Sequence, residues 1–470
     1  MTYPVYAAFP GRILIVGFGS IGQGVLPLIL RHIGITPDRI TIVTAEQAGQ
    51  QEAVDLGVSF ICEPLVRDNY RRVIEPLLGA GDFLLNLSVD VSSVALMQLC
   101  WERGALYLDT CMEPWAGGYT DTSVPAGERT NYAMRAEALR LREGNEHAPT
   151  AVMTHGANPG MVSHLVKQAM LNLAADAQMD IVEPVTRQQW AQLACDLGVQ
   201  VIHVAERDTQ VPSQPKRTNE FVNTWSVDGF VSEGAQPAEL GWGSHEKGLP
   251  ADGRRHPQAD AAAIYLMQPG AATRVRTWAP LAGCFHGFLI THAEAISITD
   301  YYTLREGDAV VYRPTCHYAY HPSDSAVVSV HEFAGRNWRV QDSKRILMDE
   351  IVSGIDELGV LLGRKDAPAY WYGSQLSIDE ARRLAPYNNA TSLQVTSSVL
   401  SGMIWAIENP RCGLVEPDEM DFRRNMEICR PYLGEVVGAY TDWTPLTDRQ
   451  SLFAEDIDTS DAWQFRNVRV

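Results

Sequence analysis

An unbroken apolar run, Ile13-Leu14-Ile15-Val16, leads into Gly17-Phe18-Gly19-Ser20-Ile21-Gly22 and then into apolar positions at helical spacing. The pattern predicts a buried strand over 11–16 and a helix over 20–32. Similar apolar runs at 39–45 (RITIVTA), 81–89 (GDFLLNLSV) and 105–110 (ALYLDT) predict further strands, with helical stretches such as 45–56 and 91–103 between them. Buried strands of a parallel sheet read as continuous apolar runs, and alternation with helices defines an α/β, doubly wound sheet. At 150–171 (TAVMTHGANPGMVSHLVKQAML) a strand ends in the turn Gly156–Gly160 and a long helix begins, so a domain boundary is expected here. The segment 200–345, rich in aromatics, glycine and short β-like runs such as AVVYRPTCHYAYHP, predicts a second, mixed domain. The apolar helix at 391–410 is expected to pack back on the first domain.

Composition narrows the function. A chain of 470 residues exceeds what one core supports, so two or three domains are expected. No apolar run of membrane-spanning length and no signal-peptide pattern occurs, which predicts no membrane association. The eight cysteines are scattered without a CxxC pair. That argues against a zinc cage or a disulfide framework, predicts no metal, and fits a reducing cytoplasm. A formal charge of −19 excludes nucleic acid as an expected partner and suits a cationic one. Lysines number only five, at 167, 216, 247, 344 and 365, so Schiff-base chemistry has few candidates.

Gly17 allows a tight turn, Gly19 lets the backbone approach a pyrophosphate, and Gly22 lets helix and strand pack closely. The amide groups of Ser20 and Ile21 then open the helix toward the phosphates. This is the dinucleotide-binding fingerprint of a Rossmann domain, in the strand–turn–helix context that gives it meaning. The end of the second strand carries Thr44, with Glu46 two residues on and no arginine for a 2′-phosphate, which favours NAD over NADP. Loops at the ends of later strands bring Ser88 and Asp90, Glu113 beside Trp115, and His155 with Asn158 to the crevice. Asp90 either points at the nicotinamide and substrate or, like Ser92, caps a helix. Asn158 either caps a helix or bonds a carboxamide. In the second domain Glu206, Trp225 and Glu233 pair carboxylates with an indole, the combination an ammonium group prefers, although a lone tryptophan is more often core. His286 and His292 flank an apolar segment, and a histidine facing the cleft would suit proton transfer.

With these residues in view, the chain resembles the bacterial homospermidine synthases of the saccharopine dehydrogenase-like superfamily. The resemblance runs end to end and rests on GFGSIGQGVLPLILRH, NLSVDVSS, YLDTCMEPWAGGY, THGANPGMVSHLVKQA, HVAERDTQ, NTWSVDGF and NATSLQVTSSVLSGMIWAIENP. It implies a homodimer with a Rossmann domain over 1–152, a substrate-binding and dimerisation domain over 153–385, and a C-terminal helical segment over 386–470 packing back on the first. It also implies NAD held as a prosthetic group, and a transferase rather than a net oxidoreductase. Putrescine, or spermidine, donates an aminobutyl group to putrescine by hydride abstraction, imine exchange and hydride return, giving sym-homospermidine and ammonia. Carried over by position, Trp225 holds an ammonium by cation–π contact and Glu233 anchors a distal ammonium. Glu206, Asp90 and Glu113 line the diamine channel, while Asn158 and His292 lie near the reacting centre. Thr44 departs from the aspartate that family members place at the second strand end. The alternative is an NADPH-dependent imine reductase of the saccharopine or carboxynorspermidine dehydrogenase type, which needs basic residues for a substrate carboxylate where this chain offers acids.

Overall fold

The computed structural model describes residues 3–258 and 261–470. Seven parallel strands form the first sheet, in the order Leu414–Val415, Ala151–Val152, Leu106–Asp109, Phe83–Asn86, Ile13–Val16, Ile40–Thr44, Ser59–Cys62. The strand Ile13–Val16 lies between Phe83–Asn86 and Ile40–Thr44, so the chain reverses direction across the sheet beside it. A ligand crevice forms at such a reversal, outside the carboxyl ends of the strands. Ile13, Leu14, Ile15 and Val16 are all buried, because helices cover both faces of the sheet.

The second sheet has ten strands and is mixed. At its centre Val199–Asp208 runs parallel to Thr315–His321 and antiparallel to Ile355–Arg364. Alternation along Val199–Asp208 sends Ile202 and Val204 into the larger core, while Val201 and Ala205 pack on the other face with Trp371 and Trp463.

The helix Ala390–Glu408 lies between the two sheets and contacts strands of both, as well as the helix Ser20–His32. It is buried nearly all round, which explains its apolar and small-residue sequence. Asn389 and Ser392 close its N-terminus with a reciprocal capping box. The chain beyond residue 386 does not stay with the first sheet, as the sequence reading expected. Leu414–Val415 joins that sheet, but Glu435–Thr441 is a strand that pairs with Ala369–Ser374 at the edge of the second. Its residues alternate between half-buried and exposed, and a half-covered edge strand lacks the continuous apolar signal of a buried one. No helix among the described residues is long and apolar enough to cross a membrane.

Candidate active site

One cavity of about 1050 Å³ runs from the glycine turn of the first unit to the second sheet. Gly17, Gly19, Ser20, Ile21, Gly22, Thr44, Ser88, Asp90, Glu113, Asn158, Glu206, Trp225, Glu233 and His292 all line it. These predicted residues share one space, whereas His155, expected at the same crevice, is buried away from it with its Nε2 3.0 Å from His164 Nε2. His286 instead stands exposed on the hairpin strand Gly283–Phe288.

The three glycines do different work. Gly17 has φ +87°, and a Cβ there would sit 2.7 Å from the Leu87 carbonyl and the Ser88 nitrogen. A Cβ on Gly22 would strike the Gly17 oxygen and the Phe18 ring, both at 2.9 Å. Around Gly19 nothing lies within 4 Å, so the backbone there is open to a ligand. The helix Ser20–His32 begins with no side-chain cap and no acid in its first turn, leaving its N–H groups free for an anion. The Ser20 hydroxyl is buried without a hydrogen-bond partner among the described residues. An open backbone, an uncapped helix and an orphaned hydroxyl together fit a dinucleotide pyrophosphate. Thr44 and Glu46 follow along the cavity, and Ser88 is fixed by donating to Asn86 Oδ1 at 2.6 Å. The sequence reading found no positive charge near this strand end. Arg67, in the loop after the neighbouring strand Ser59–Cys62, lines the same cavity. Strand adjacency places it there, which distance along the chain concealed.

Next comes a cluster of carboxyls. Ser92 caps the helix Ser93–Arg103 by accepting from the Ala95 N–H, which leaves Asp90 uncommitted as a cap and at the rim. Glu113 is buried and accepts from the Asp90 N–H at 3.1 Å and from Cys111 Sγ at 3.2 Å. Burial pushes it up to about 8 despite those bonds. Asn158 does not cap the following helix, whose N-cap is Gly160; its amide donates to Glu206 Oε2 at 3.2 Å. The Tyr318 hydroxyl donates to the same oxygen at 2.5 Å. Burial raises Glu206 to about 8 as well, with these two bonds opposing the shift.

Trp225 precedes the helix Val227–Ala235, which Ser226 caps through the Gly229 N–H at 3.1 Å. Its indole Nε1 donates to the Tyr320 hydroxyl at 3.0 Å, and a Cβ on Gly229 would lie only 3.1 Å from its ring. The bond to Tyr320 holds the indole against the cavity, and the missing Cβ of Gly229 leaves room for its ring. Glu233, from the last turn of that helix, meets His292 Nε2 at 3.0 Å, while His292 Nδ1 meets Glu294 Oε1 at 3.2 Å. Burial opposes charge on this imidazole, yet Glu294 and Glu233 outweigh it and raise the group to about 10. His292 is therefore an imidazolium at neutral pH, stacked on Tyr318 with ring centroids 4.4 Å apart.

Glu294, Tyr318 and Tyr320 escaped the sequence reading. The two tyrosines alternate in CHYAYH as side chains on one strand face do, and Glu294 opens the helix that His292 caps, so each left a faint local signal. Among the described lining residues seven carry carboxyl groups, against the cations Arg67, Lys344 and His292, of which Lys344 is ion-paired with Asp228 and His292 with Glu233. Such a space accepts a dinucleotide at one end and a polycation at the other, which defines a nucleotide-dependent enzyme acting on amines.

Known proteins agree. Residues 13–153 match the saccharopine dehydrogenase NADP binding domain, and 156–441 the saccharopine dehydrogenase C-terminal domain. Homospermidine synthase of Blastochloris viridis is 55% identical over 472 residues, covering 100% of this chain and 99% of that protein. The Mesorhizobium japonicum homospermidine synthase is 51% identical over 476 residues, covering 100% and 98%. The crystal structure of the Legionella pneumophila homospermidine synthase in complex with NAD superposes with a TM-score of 0.91 at 49% identity, covering 98% of each chain. The chain belongs to the homospermidine synthase family. Saccharopine dehydrogenase (L-Glu forming) of Saccharomyces cerevisiae shares the fold at a TM-score of 0.52 and 11% identity, covering 92% of this chain and 100% of that one.

Proposed function

We propose that this enzyme joins two putrescine molecules into sym-homospermidine with release of ammonia, using NAD, and that spermidine is a second aminobutyl donor. One observation carries the reading: the glycine turn and the carboxyl–indole cluster open into a single cavity. The residues that would hold NAD are Gly17, Gly19, Ser20, Ile21 and Gly22 at the pyrophosphate, with Thr44, Ser88, Asp90 and Asn158 further along. When bound, NAD supplies a hydride acceptor that returns what it takes, so the overall reaction has no net redox change.

The chain's own residues then have three tasks. A diamine at neutral pH is a dication, and one end must stay charged while the other is made neutral. Trp225 and Glu233 hold the charged end, by the ring face and by ion pairing. Glu206 takes the proton from the reacting nitrogen; with a pKa of about 8 it is matched to that exchange near neutral pH. Asn158 and Tyr318 orient its carboxylate. His292, already charged between two acids, is a fixed cation that positions Glu233. Glu113 and Asp90 lead the second diamine inward. Enclosure between the two units limits water, which would convert an imine to an aldehyde.

In this reading residues 1–152 bind the nucleotide and add Asp90 and Glu113 to the amine channel, while 153–385 supply the other amine-binding groups, in a cytoplasmic homodimer. The free thiols of all eight cysteines support the reducing compartment. An imine reductase acting on a carboxylated substrate is disfavoured, because its carboxylate would meet the acid cluster of Asp90, Glu113, Glu206 and Glu233. The deciding experiment incubates the purified protein with putrescine and sub-stoichiometric NAD. Homospermidine and ammonia in equal amounts are expected; stoichiometric NADH without a triamine would overturn the reading. Sedimentation equilibrium checks the dimer.

A further inference from the structure

Behind Glu206 lie two acids that the reaction above does not use. Asp208 follows Glu206 on the same face of Val199–Asp208, and Asp356 stands directly opposite Asp208 on the antiparallel strand Ile355–Arg364. Directly opposed residues have Cβ atoms about 5 Å apart. Both carboxyls are fully buried. Asp208 accepts from the Gln210 N–H at 2.8 Å, from Gln210 Nε2 at 3.1 Å and from the Thr224 hydroxyl at 2.8 Å. Among the described residues Asp356 accepts only from the Thr391 hydroxyl, at 2.5 Å, and its buried Oδ1 has no hydrogen-bond partner. Arg207 makes no ion pair with either carboxyl, since its guanidinium turns to the Asp208 carbonyl and to Asp324, although its charge favours both anions through space.

We propose that Asp208 and Asp356 are positioning residues that share one proton, Asp208 carrying the charge and Asp356 the hydrogen, and that this single buried charge sets the proton affinity of Glu206. Two opposed buried carboxylates with no directly paired cation do not both ionise. Three donors stabilise the anion at Asp208, while the orphaned oxygen marks Asp356 as the protonated member. Burial raises both carboxyls; at Asp208 the bonds from Gln210 and Thr224 oppose the rise, while Asp356, with Glu206 and Asp208 nearby, is raised well above the ordinary carboxyl range. Glu206 faces Asp208 on its own strand, Tyr318 and Tyr320 from the parallel neighbour, Asp356 from the antiparallel one, Asn158 from the turn before the helix Met161–Asp176, and His292 from the start of the helix Ala293–Tyr301. Of these, the imidazolium favours the Glu206 anion and the Asp208 charge opposes it. The pair thus keeps Glu206 able to return its proton.

The inference rests on Glu206 being the base. A unit charge about 7 Å away, at an effective dielectric near 20, shifts a carboxyl by roughly one to two pH units. The test is the pH dependence of kcat for homospermidine formation by the full-length enzyme with NAD. In the double variant Asp208→Asn/Asp356→Asn the acid limb moves down by about one unit or more, with the plateau rate within a few-fold. Asp356→Asn alone leaves the charge on Asp208 and the limb unmoved. A limb that stays in place in the double variant, or moves up, overturns the proposal. If Glu206→Gln retains the wild-type limb, the assignment of the base falls and the proposal falls with it. Loss of the limb in Glu206→Gln, with an unmoved limb in the double variant, overturns the pair alone. Should the double variant fail to fold, infrared difference spectra of the enzyme against Asp356→Asn at pH 8 decide the matter. A protonated-carboxyl band present only in the wild type supports the pair, and its absence overturns it.

Discussion

Replacing His292 by glutamine removes a buried cation from between Glu233 and Glu294, which approach its ring nitrogens at 3.0 and 3.2 Å. The amide keeps the approximate size and a hydrogen-bonding head but leaves both carboxyls without their counter-charge. Removing one partner of a buried pair costs about 3–5 kcal/mol. A displacement of the imidazole from its ordinary 6.5 to about 10 corresponds to a similar figure at about 1.4 kcal/mol per unit. With a urea dependence of about 3 kcal/mol per molar, the denaturation midpoint at pH 7 falls by about 1 M or more. The pH profile carries the diagnosis. A histidine with a raised folded pKa adds stability that is complete below its unfolded value of 6.5 and is lost as pH rises through about 10. The gap between wild type and variant is therefore full at pH 6 and closes toward pH 10. An equal midpoint at pH 7, or a gap that does not shrink by pH 10, would refute the imidazolium.

Three further outcomes follow from the same geometry. Trp225→Ala lowers kcat/KM for putrescine by up to about 30-fold, the value of one desolvated cation–π contact, and Trp225→Phe by less; circular dichroism confirms the fold, and unchanged turnover in the alanine variant removes Trp225 from the site. Glu206→Gln lowers kcat by about 10²–10⁴, as loss of a general base does, with putrescine binding retained in calorimetry; a rate within three-fold of wild type would be incompatible with that role. Gly19→Val places a side chain where nothing lies within 4 Å, so the thermal midpoint holds while NAD affinity drops about ten-fold or more by equilibrium dialysis; undiminished affinity would move the pyrophosphate elsewhere.

The order of these findings along the chain separates two kinds of information. Strands such as Ile13–Val16 and Ile40–Thr44, the helix Ser20–His32 and the glycine turn were legible because each is written within a dozen neighbouring residues. Burial on both faces makes a strand apolar throughout, and a tight turn at φ +87° favours glycine. The resemblance, carried by stretches such as NTWSVDGF, THGANPG and HVAERDTQ, also implied that Trp225, Asn158, Glu206 and the neighbouring Glu233 share one site. Local pattern did not say which of these would touch. Asn158 read equally well as a helix cap, and only the turn at Gly156–Gly160 meeting Val199–Asp208 gave its amide to Glu206. Glu435–Thr441 read as part of a helical tail because a half-buried edge strand lacks the apolar signal of a core one.

By itself the sequence determined the inner strands of a parallel nucleotide-binding sheet, though not its edge strands Ser59–Cys62 and Leu414–Val415, as well as the acidity of the chain and which side chains could bind an amine. Tertiary structure alone decided the charge states. His292 is a cation because two carboxyls from separate turns close on its two nitrogens, and Glu206 holds its proton to about pH 8 because burial strips it of water. The opposition of Asp208 and Asp356 depends on strand register, in which a shift of one residue would turn a side chain to the other face. Register is fixed by packing between distant parts of the chain, so no local stretch contains it.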